Sequence, residues 1–152
     1  MPWEPGASPF HDYNEKILAE CYRPNADLGN LSRMSFNLGP TLATWLRRQH
    51  PDVLSRVVRS DQNARTATGH GSAIAQGYHH TILPLDSPRD RRTEIRWGVR
   101  SFELLYGRKP LGIWLPETAV DSTTLEMCAD EGLRYTILAP DQVRATGEMY
   151  GS

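Results

Sequence analysis

The 152-residue sequence is poor in cysteine, has no long apolar stretch and carries no excess of charge of either sign. Lys and Arg number 17 and Asp and Glu 18, so the chain lacks the basic character of proteins that bind nucleic acid or an anionic membrane. No apolar run approaches the roughly 20 residues that cross a bilayer, and the first residues do not resemble a secretory signal. We therefore expect a soluble, cytoplasmic protein that binds neither nucleic acid nor membrane. The sequence does not indicate an oligomeric state.

The two cysteines, Cys21 and Cys128, lie far apart and do not form a CxxC motif. This spacing favours neither a disulfide framework nor a thiolate metal site. We expect two buried thiols in a reducing compartment, and no motif in the chain predicts a cofactor.

Hydrophobic periodicity predicts an alternation of helices and strands after a polar, loop-rich first segment. The predicted helices are 12–21, 41–48, 51–65, 87–106 and 121–132. The predicted strands are 33–38, 111–115 and 134–138. Asp12 and Asp121 stand where helix-capping side chains belong, Pro88 lies in the first turn of the fourth helix, and Gly107 follows that helix.

Strands that alternate with helices predict a parallel α/β architecture, because parallel strands need crossover connections that are usually helical. In such folds the functional groups lie at the carboxyl ends of the strands. The segments to search are therefore those after Leu38, around 76–80, after Leu115 and after Leu138.

Glu117 is the first candidate for catalysis, because only Pro116 separates it from the apolar segment 111–115 and Trp114 precedes it by three residues. A carboxylate beside an apolar wall at a strand end is suited to act as a nucleophile or an acid. A solvated carboxylate in the loop before the next helix is the structural alternative.

Three histidines lie in a segment of small residues, 68–85. His70 stands between two glycines and suits either a turn or a pocket wall. His79 and His80 are adjacent, and a zinc site is conceivable if these histidines combine with Asp12 or Asp61. Their spacing matches no common zinc motif, so we predict no metal.

Several ordered blocks of the chain resemble glycoside hydrolase family 57, in particular the branch whose long proteins carry an uncharacterised region after the catalytic domain. The resemblance covers most of the chain. It is carried by the blocks 7–15, 20–25, 35–42, 69–85 and 114–121.

The resemblance implies an irregular seven-stranded (β/α) barrel with parallel strands and retaining chemistry on α-linked glucans. Glu117 matches the family nucleophile, and His80 matches a histidine that lines the glucose pocket. His70, Trp114 and His11 are further candidates for substrate binding on the same blocks. The implied partner is an α-glucan or oligosaccharide, and the implied enzyme is a glycosidase or glucan transferase.

Some elements of the family pattern do not appear in these residues. The histidine strand motif that ends in Gln-Pro does not precede Trp3, and Ser72 stands where the family has a glutamate. A retaining enzyme needs a second carboxyl group about 5–5.5 Å from the nucleophile. In the family this is an aspartate on a later strand, so residues 1–152 are expected to form a partial catalytic domain without the first strand motif and the later strands.

Two other functions remain open from the sequence. A metal-dependent carbohydrate deacetylase would use His70, His79 or His80 with an aspartate to hold zinc. The second alternative is a non-catalytic remnant that binds glucan or binds no ligand. Asp121 is better explained as a helix cap than as a catalytic acid, and Trp97 as a packing residue of its helix.

Overall fold

The computed structural model describes residues 3–142. The chain divides into two compact units, Met1–Ala73 and Ile74–Ser152. Within the described residues, no helix has the length and apolar character needed to cross a membrane.

The first unit opens with a helical segment that is longer than predicted. Helix α1 (Tyr13–Ile17) passes through a π-helical turn (Leu18–Tyr22) into α2 (Arg23–Asp27). As predicted, the Asp12 side chain caps α1 by accepting a hydrogen bond of 3.1 Å from the backbone N–H of Glu15. The side chain of Glu15 contacts Nε2 of His50 at 3.1 Å.

The rest of the first unit is a short strand followed by two helices. Strand β1 (Phe36–Asn37) leads into α3 (Pro40–Gln49) and α4 (Pro51–Thr68). Both helices begin at a proline, whose missing N–H costs little in the first helical turn. Buried apolar side chains from the two helices form the core of this unit: Ala43, Leu46, Val53, Leu54, Val57 and Ala64.

Asp61 of α4 is buried and accepts a hydrogen bond of 2.8 Å from the backbone N–H of Ala73, at the start of the next strand.

The second unit contains parallel strands that alternate with long helices. Strand β2 is Ala73–Gln76, followed by α5 (Pro88–Tyr106), β3 (Gly112–Trp114), α6 (Ser122–Asp130) and β4 (Tyr135–Thr136). The order of these three strands in the sheet is β2-β3-β4. Strand β3 pairs in parallel with β2 and with β4. The α/β class with parallel strands is therefore confirmed.

One glycine sets the distance between α5 and β2. A Cβ atom on Gly98 would overlap the backbone carbonyl oxygen of Gln76, so the helix backbone approaches the strand closely at this point. The apolar stripe of α5, which includes Ile95 and Phe102, is buried, as are Ile113 and Leu115.

The structure corrects four expectations. Strand β1 covers two residues, where six were predicted, and β2 was not predicted as a strand. Cys21 is exposed, whereas Cys128 is buried as expected. Trp97 is 53% exposed and therefore is not a packing residue of the core.

Candidate functional site

The fold places His80 and Glu117 at the same edge of the sheet. His80 lies four residues after β2, and Glu117 lies three residues after β3. Because β2 and β3 are parallel neighbours, their carboxyl ends meet at one edge. Nε2 of His80 lies 2.9 Å from Oε1 of Glu117. Two residues that are 37 positions apart in the sequence thus form a hydrogen-bonded pair.

Trp114 is the third predicted residue at this site. It ends β3, and the centroid of its ring lies 5.5 Å from that of the His80 ring, at an interplanar angle of 56°. Trp114 is half-buried, so its ring supports the imidazole from one side. The site therefore joins a carboxylate, an imidazole and an aromatic face.

The backbone at Glu117 is in an uncommon conformation. Glu117 and Thr118 have φ values of 56° and 53°, in the left-handed region that non-glycine residues seldom adopt. Such conformations cost about 1–2 kcal/mol per residue and occur preferentially where function requires them. The turn is held by a hydrogen bond of 2.9 Å from the N–H of Thr118 to the carbonyl of Leu115, and by the Gln142 side chain, which donates to the carbonyl of Thr118 at 2.7 Å.

A buried arginine connects the segments that follow the two site residues. Nη1 of Arg91 donates to both carboxylate oxygens of Asp121 at 2.9 Å and to the Thr124 hydroxyl at 3.1 Å. Its Nη2 donates to the carbonyl of Pro84 at 2.8 Å. Arg91 thereby holds the segment after His80 against the segment after Glu117.

Asp121 caps α6, as predicted, by accepting a hydrogen bond of 2.7 Å from the backbone N–H of Thr124. Hydrogen bonds from the side chain and the N–H of Thr124, and then the Arg91 guanidinium, hold the pKa of Asp121 below its ordinary value.

The paired side chains are open to solvent. The side chain of His80 is 57% exposed and that of Glu117 is 67% exposed. A carboxylate only accepts hydrogen bonds, so an ionised Glu117 places a hydrogen on Nε2 of His80. The arrangement can present a carboxylate oxygen to an electrophilic carbon while the imidazole orients that carboxylate.

The adjacent histidine has a different partner. Nδ1 of His79 lies 2.8 Å from Oε1 of Glu94, on α5. His79 and His80 therefore contact different carboxylates. Among residues 3–142, no group of three His, Cys, Asp or Glu side chains is arranged to hold a metal ion.

Two further candidates belong to the first unit. Nδ1 of His11 lies 3.2 Å from Oδ2 of Asp12. The backbone N–H of His70 donates to the Thr68 hydroxyl at 3.2 Å, just after the helix terminates at Gly69, which has φ +81°. Substrate binding by His11 and His70 stays a prediction.

Arg91 was missed by sequence reasoning, although a signal was present. It precedes Ile95 by four residues and so lies on the apolar stripe of α5, where a charged residue must find partners. Gln142 had no comparable signal, because a single polar residue in a loop predicts no partner.

A carboxylate and an imidazole thus meet at the carboxyl edge of a parallel sheet, which is where α/β folds place their functional groups. The family model described as glycosyl hydrolase family 57 matches residues 7–148, and the chain belongs to this family.

Individual relatives of the chain have low sequence identity to it. The chain is 22% identical over 97 residues to alpha-amylase 1 from Dictyoglomus thermophilum, which covers 64% of this chain and 13% of the amylase. It resembles the solved structure of a 4-alpha-glucanotransferase from Thermococcus litoralis, with a TM-score of 0.67 and 20% identity over 82% of this chain and 19% of that one. A family 57 branching enzyme from Thermococcus kodakaraensis gives a TM-score of 0.47 and 23% identity over 80% of this chain and 23% of that one.

The chain thus spans less than a quarter of the length of each of these relatives. The likeness to the glucanotransferase shows the fold of this segment, which is part of the (β/α) barrel expected from the family.

Proposed function

We propose that this chain carries the nucleophile of a retaining enzyme that cleaves α-glucosidic bonds. The observation that supports this most is the pairing of Glu117 with His80 at the carboxyl edge of the sheet. Membership of family 57 and the likeness to an alpha-amylase and a glucanotransferase support α-glucan as the substrate class.

In the proposed first step a carboxylate oxygen of Glu117 attacks the anomeric carbon of the sugar. A new carbon–oxygen bond forms as the bond to the departing sugar breaks, and the departing oxygen takes a proton from a second carboxyl group. In the second step water, or an acceptor hydroxyl, gives its proton to that group and releases the glycosyl unit from Glu117.

His80 and Trp114 have supporting roles in this proposal. The imidazole fixes one oxygen of Glu117 through the contact of 2.9 Å and stands within reach of a sugar hydroxyl. The ring of Trp114, at 5.5 Å from the imidazole, limits the movement of His80 and presents an apolar face to a pyranose ring.

The second carboxyl group is proposed to come from outside residues 1–152. An acid is needed when the departing group is a sugar hydroxyl, but not when it is fluoride, which leaves without a proton. The chain alone should therefore release fluoride from α-glucosyl fluoride but show little or no turnover of maltoheptaose.

Replacing Glu117 tests the proposal. Glu117→Gln should reduce fluoride release to the level seen without protein, while Glu126→Gln, an exposed carboxylate on α6, should leave it unchanged. Equal fluoride release by wild type and Glu117→Gln would refute the role of Glu117. Rapid hydrolysis of maltoheptaose by the 152-residue chain would instead show that the acid lies within it.

A further inference from the structure

A second surface of the same unit combines aromatic rings with a fixed imidazole. The Tyr78 ring meets the His79 ring edge-on at 4.9 Å and the Trp97 ring edge-on at 5.6 Å, measured between centroids. Tyr78 and His79 follow β2, whereas Trp97 lies on α5 and is 53% exposed. We call Tyr78, His79 and Trp97 the Tyr78 cluster.

Glu94 holds the imidazole of the Tyr78 cluster in one orientation. Its Oε2 accepts a hydrogen bond of 2.7 Å from the backbone N–H of His79, and its Oε1 lies 2.8 Å from Nδ1 of the same residue. The Glu94 side chain is only 13% exposed, whereas that of His79 is 56% exposed. A largely buried carboxylate thus contacts His79 at two points, the backbone N–H and the exposed ring. The carbonyl of Glu94 also accepts a hydrogen bond of 3.1 Å from the N–H of Tyr78.

This arrangement determines what the exposed imidazole offers to a ligand. Because the Glu94 carboxylate only accepts, Nδ1 of His79 carries the hydrogen, and Nε2 of the neutral ring is an acceptor. The cluster therefore presents one oriented acceptor next to the Tyr78 ring, which also contacts the exposed Trp97. The negative charge of this pair belongs to Glu94, whose side chain is only 13% exposed.

An oriented acceptor beside an aromatic face suits a pyranose ring. The C–H face of a sugar packs on an aromatic ring, and an adjacent hydroxyl can donate to the imidazole nitrogen. We infer that the Tyr78 cluster is a second carbohydrate-binding surface, which binds glucose units of the α-glucan beyond the unit at Glu117. The identity of the sugar rests on the proposed function.

Consecutive residues serve the two surfaces. His79 is held by Glu94 in the Tyr78 cluster, and His80 is held by Glu117 and lies beside Trp114. Each surface therefore has its own tryptophan, so binding at one can be measured separately from binding at the other.

The test is a titration of the ¹⁵N-labelled 152-residue chain with maltoheptaose, followed through the indole N–H signals of its four tryptophans. Trp97 reports on the Tyr78 cluster and Trp114 reports on the Glu117 site. Trp3, which is 63% exposed in the first unit, is an internal control for non-specific effects. The Trp97 signal should shift to saturation, and it should still do so in Glu117→Gln.

Variants of the Tyr78 cluster sharpen the result. His79→Ala keeps the backbone N–H that Glu94 binds but removes the acceptor, and it should raise the Kd read from Trp97 about fivefold, as expected for one neutral hydrogen bond. Leu104→Ala, at an exposed apolar position on the same helix, should leave that Kd unchanged.

The outcomes separate this inference from the proposed function. The second surface would be overturned if the Trp97 signal did not move, if it moved with the same Kd in His79→Ala, or if it moved only together with the Trp3 signal. Movement of Trp114 without Trp97 would overturn it while supporting the Glu117 site. Movement of Trp97 without Trp114 would support the second surface and count against glucan binding at Glu117.

Discussion

Replacing Arg91 with methionine is expected to destabilise the second unit more than the loss of any exposed ion pair. The Arg91 side chain is 8% exposed and donates to Asp121, Thr124 and the carbonyl of Pro84. Methionine has a similar length and is apolar, so the substitution removes these hydrogen bonds without leaving a large cavity.

The magnitude follows from what each partner loses. The carbonyl of Pro84 loses a donor, which costs about 1–3 kcal/mol if no water replaces it. Asp121 keeps its two hydrogen bonds from Thr124, and its side chain is 41% exposed, so it remains hydrated. The cost should therefore fall below the roughly 3–5 kcal/mol of breaking a fully buried pair. We expect Arg91→Met to lower the free energy of unfolding by about 2–3 kcal/mol.

Urea denaturation followed by circular dichroism measures this loss, with Arg92→Met as the matched control. Arg92 is the next residue on α5 and contacts Asp130 at 3.0 Å, but both side chains are largely exposed. Its replacement should cost less than about 1 kcal/mol. If the two variants differed by less than about 0.5 kcal/mol, which is within the range of ordinary surface substitutions, the structural role assigned to Arg91 would be wrong.

Three further predictions concern other parts of the chain. Gly98→Ala should destabilise by about 1–3 kcal/mol despite the better helix propensity of alanine, because the new methyl group overlaps the Gln76 carbonyl; unchanged urea denaturation would contradict this. Folding lowers the pKa of Asp121, so its ionised carboxylate stabilises the fold above the unfolded pKa of about 3.9. This stabilisation is lost as the pH falls through the lower pKa of the folded state. Asp121→Asn should therefore lose less stability in acid than the wild type does. Cys21 is exposed, whereas burial raises the pKa of Cys128 to about 11. A thiol reagent should therefore react with one cysteine in the native chain and with two in urea. Two fast-reacting thiols in the native chain would refute the burial of Cys128.

The long helices were predictable because local signals mark both of their ends. For α5, Ser87 accepts a hydrogen bond of 3.2 Å from the N–H of Asp90, and Gly107 adopts the left-handed conformation with φ 66°. Asp121 caps α6 by the same kind of bond. Capping and periodicity are encoded by residues a few positions apart, so they can be read without tertiary structure.

Strand β2 was not predictable in the same way. Its sequence, Ala73 to Gln76, contains a single β-branched residue, and its conformation depends on pairing with a strand that is distant in the sequence. Strand propensity reflects such packing more than local preference. The Gly98 contact that accompanies β2 is equally non-local.

The candidate site was predictable in its members but not in its contacts. Glu117 and Trp114 followed from their places near a predicted strand end and from the family resemblance, and His80 followed from the resemblance. That His80 rather than His79 contacts Glu117 depends on which way each side chain points after β2, and the sequence does not encode this locally. The Arg91 network connects segments about 30 residues apart, so it also required the fold.

The most direct test of the central claim is mass spectrometry of the chain after reaction with a fluorinated α-glucosyl fluoride. Fluoride departs without an acid, and the extra ring fluorine slows hydrolysis of the glycosyl-enzyme ester, so the intermediate accumulates. We predict one added glycosyl unit on the peptide that contains Glu117, retained in Glu126→Gln and absent in Glu117→Gln. The absence of an adduct in the wild type, or an equal adduct in Glu117→Gln, would contradict the assignment of Glu117 as the nucleophile.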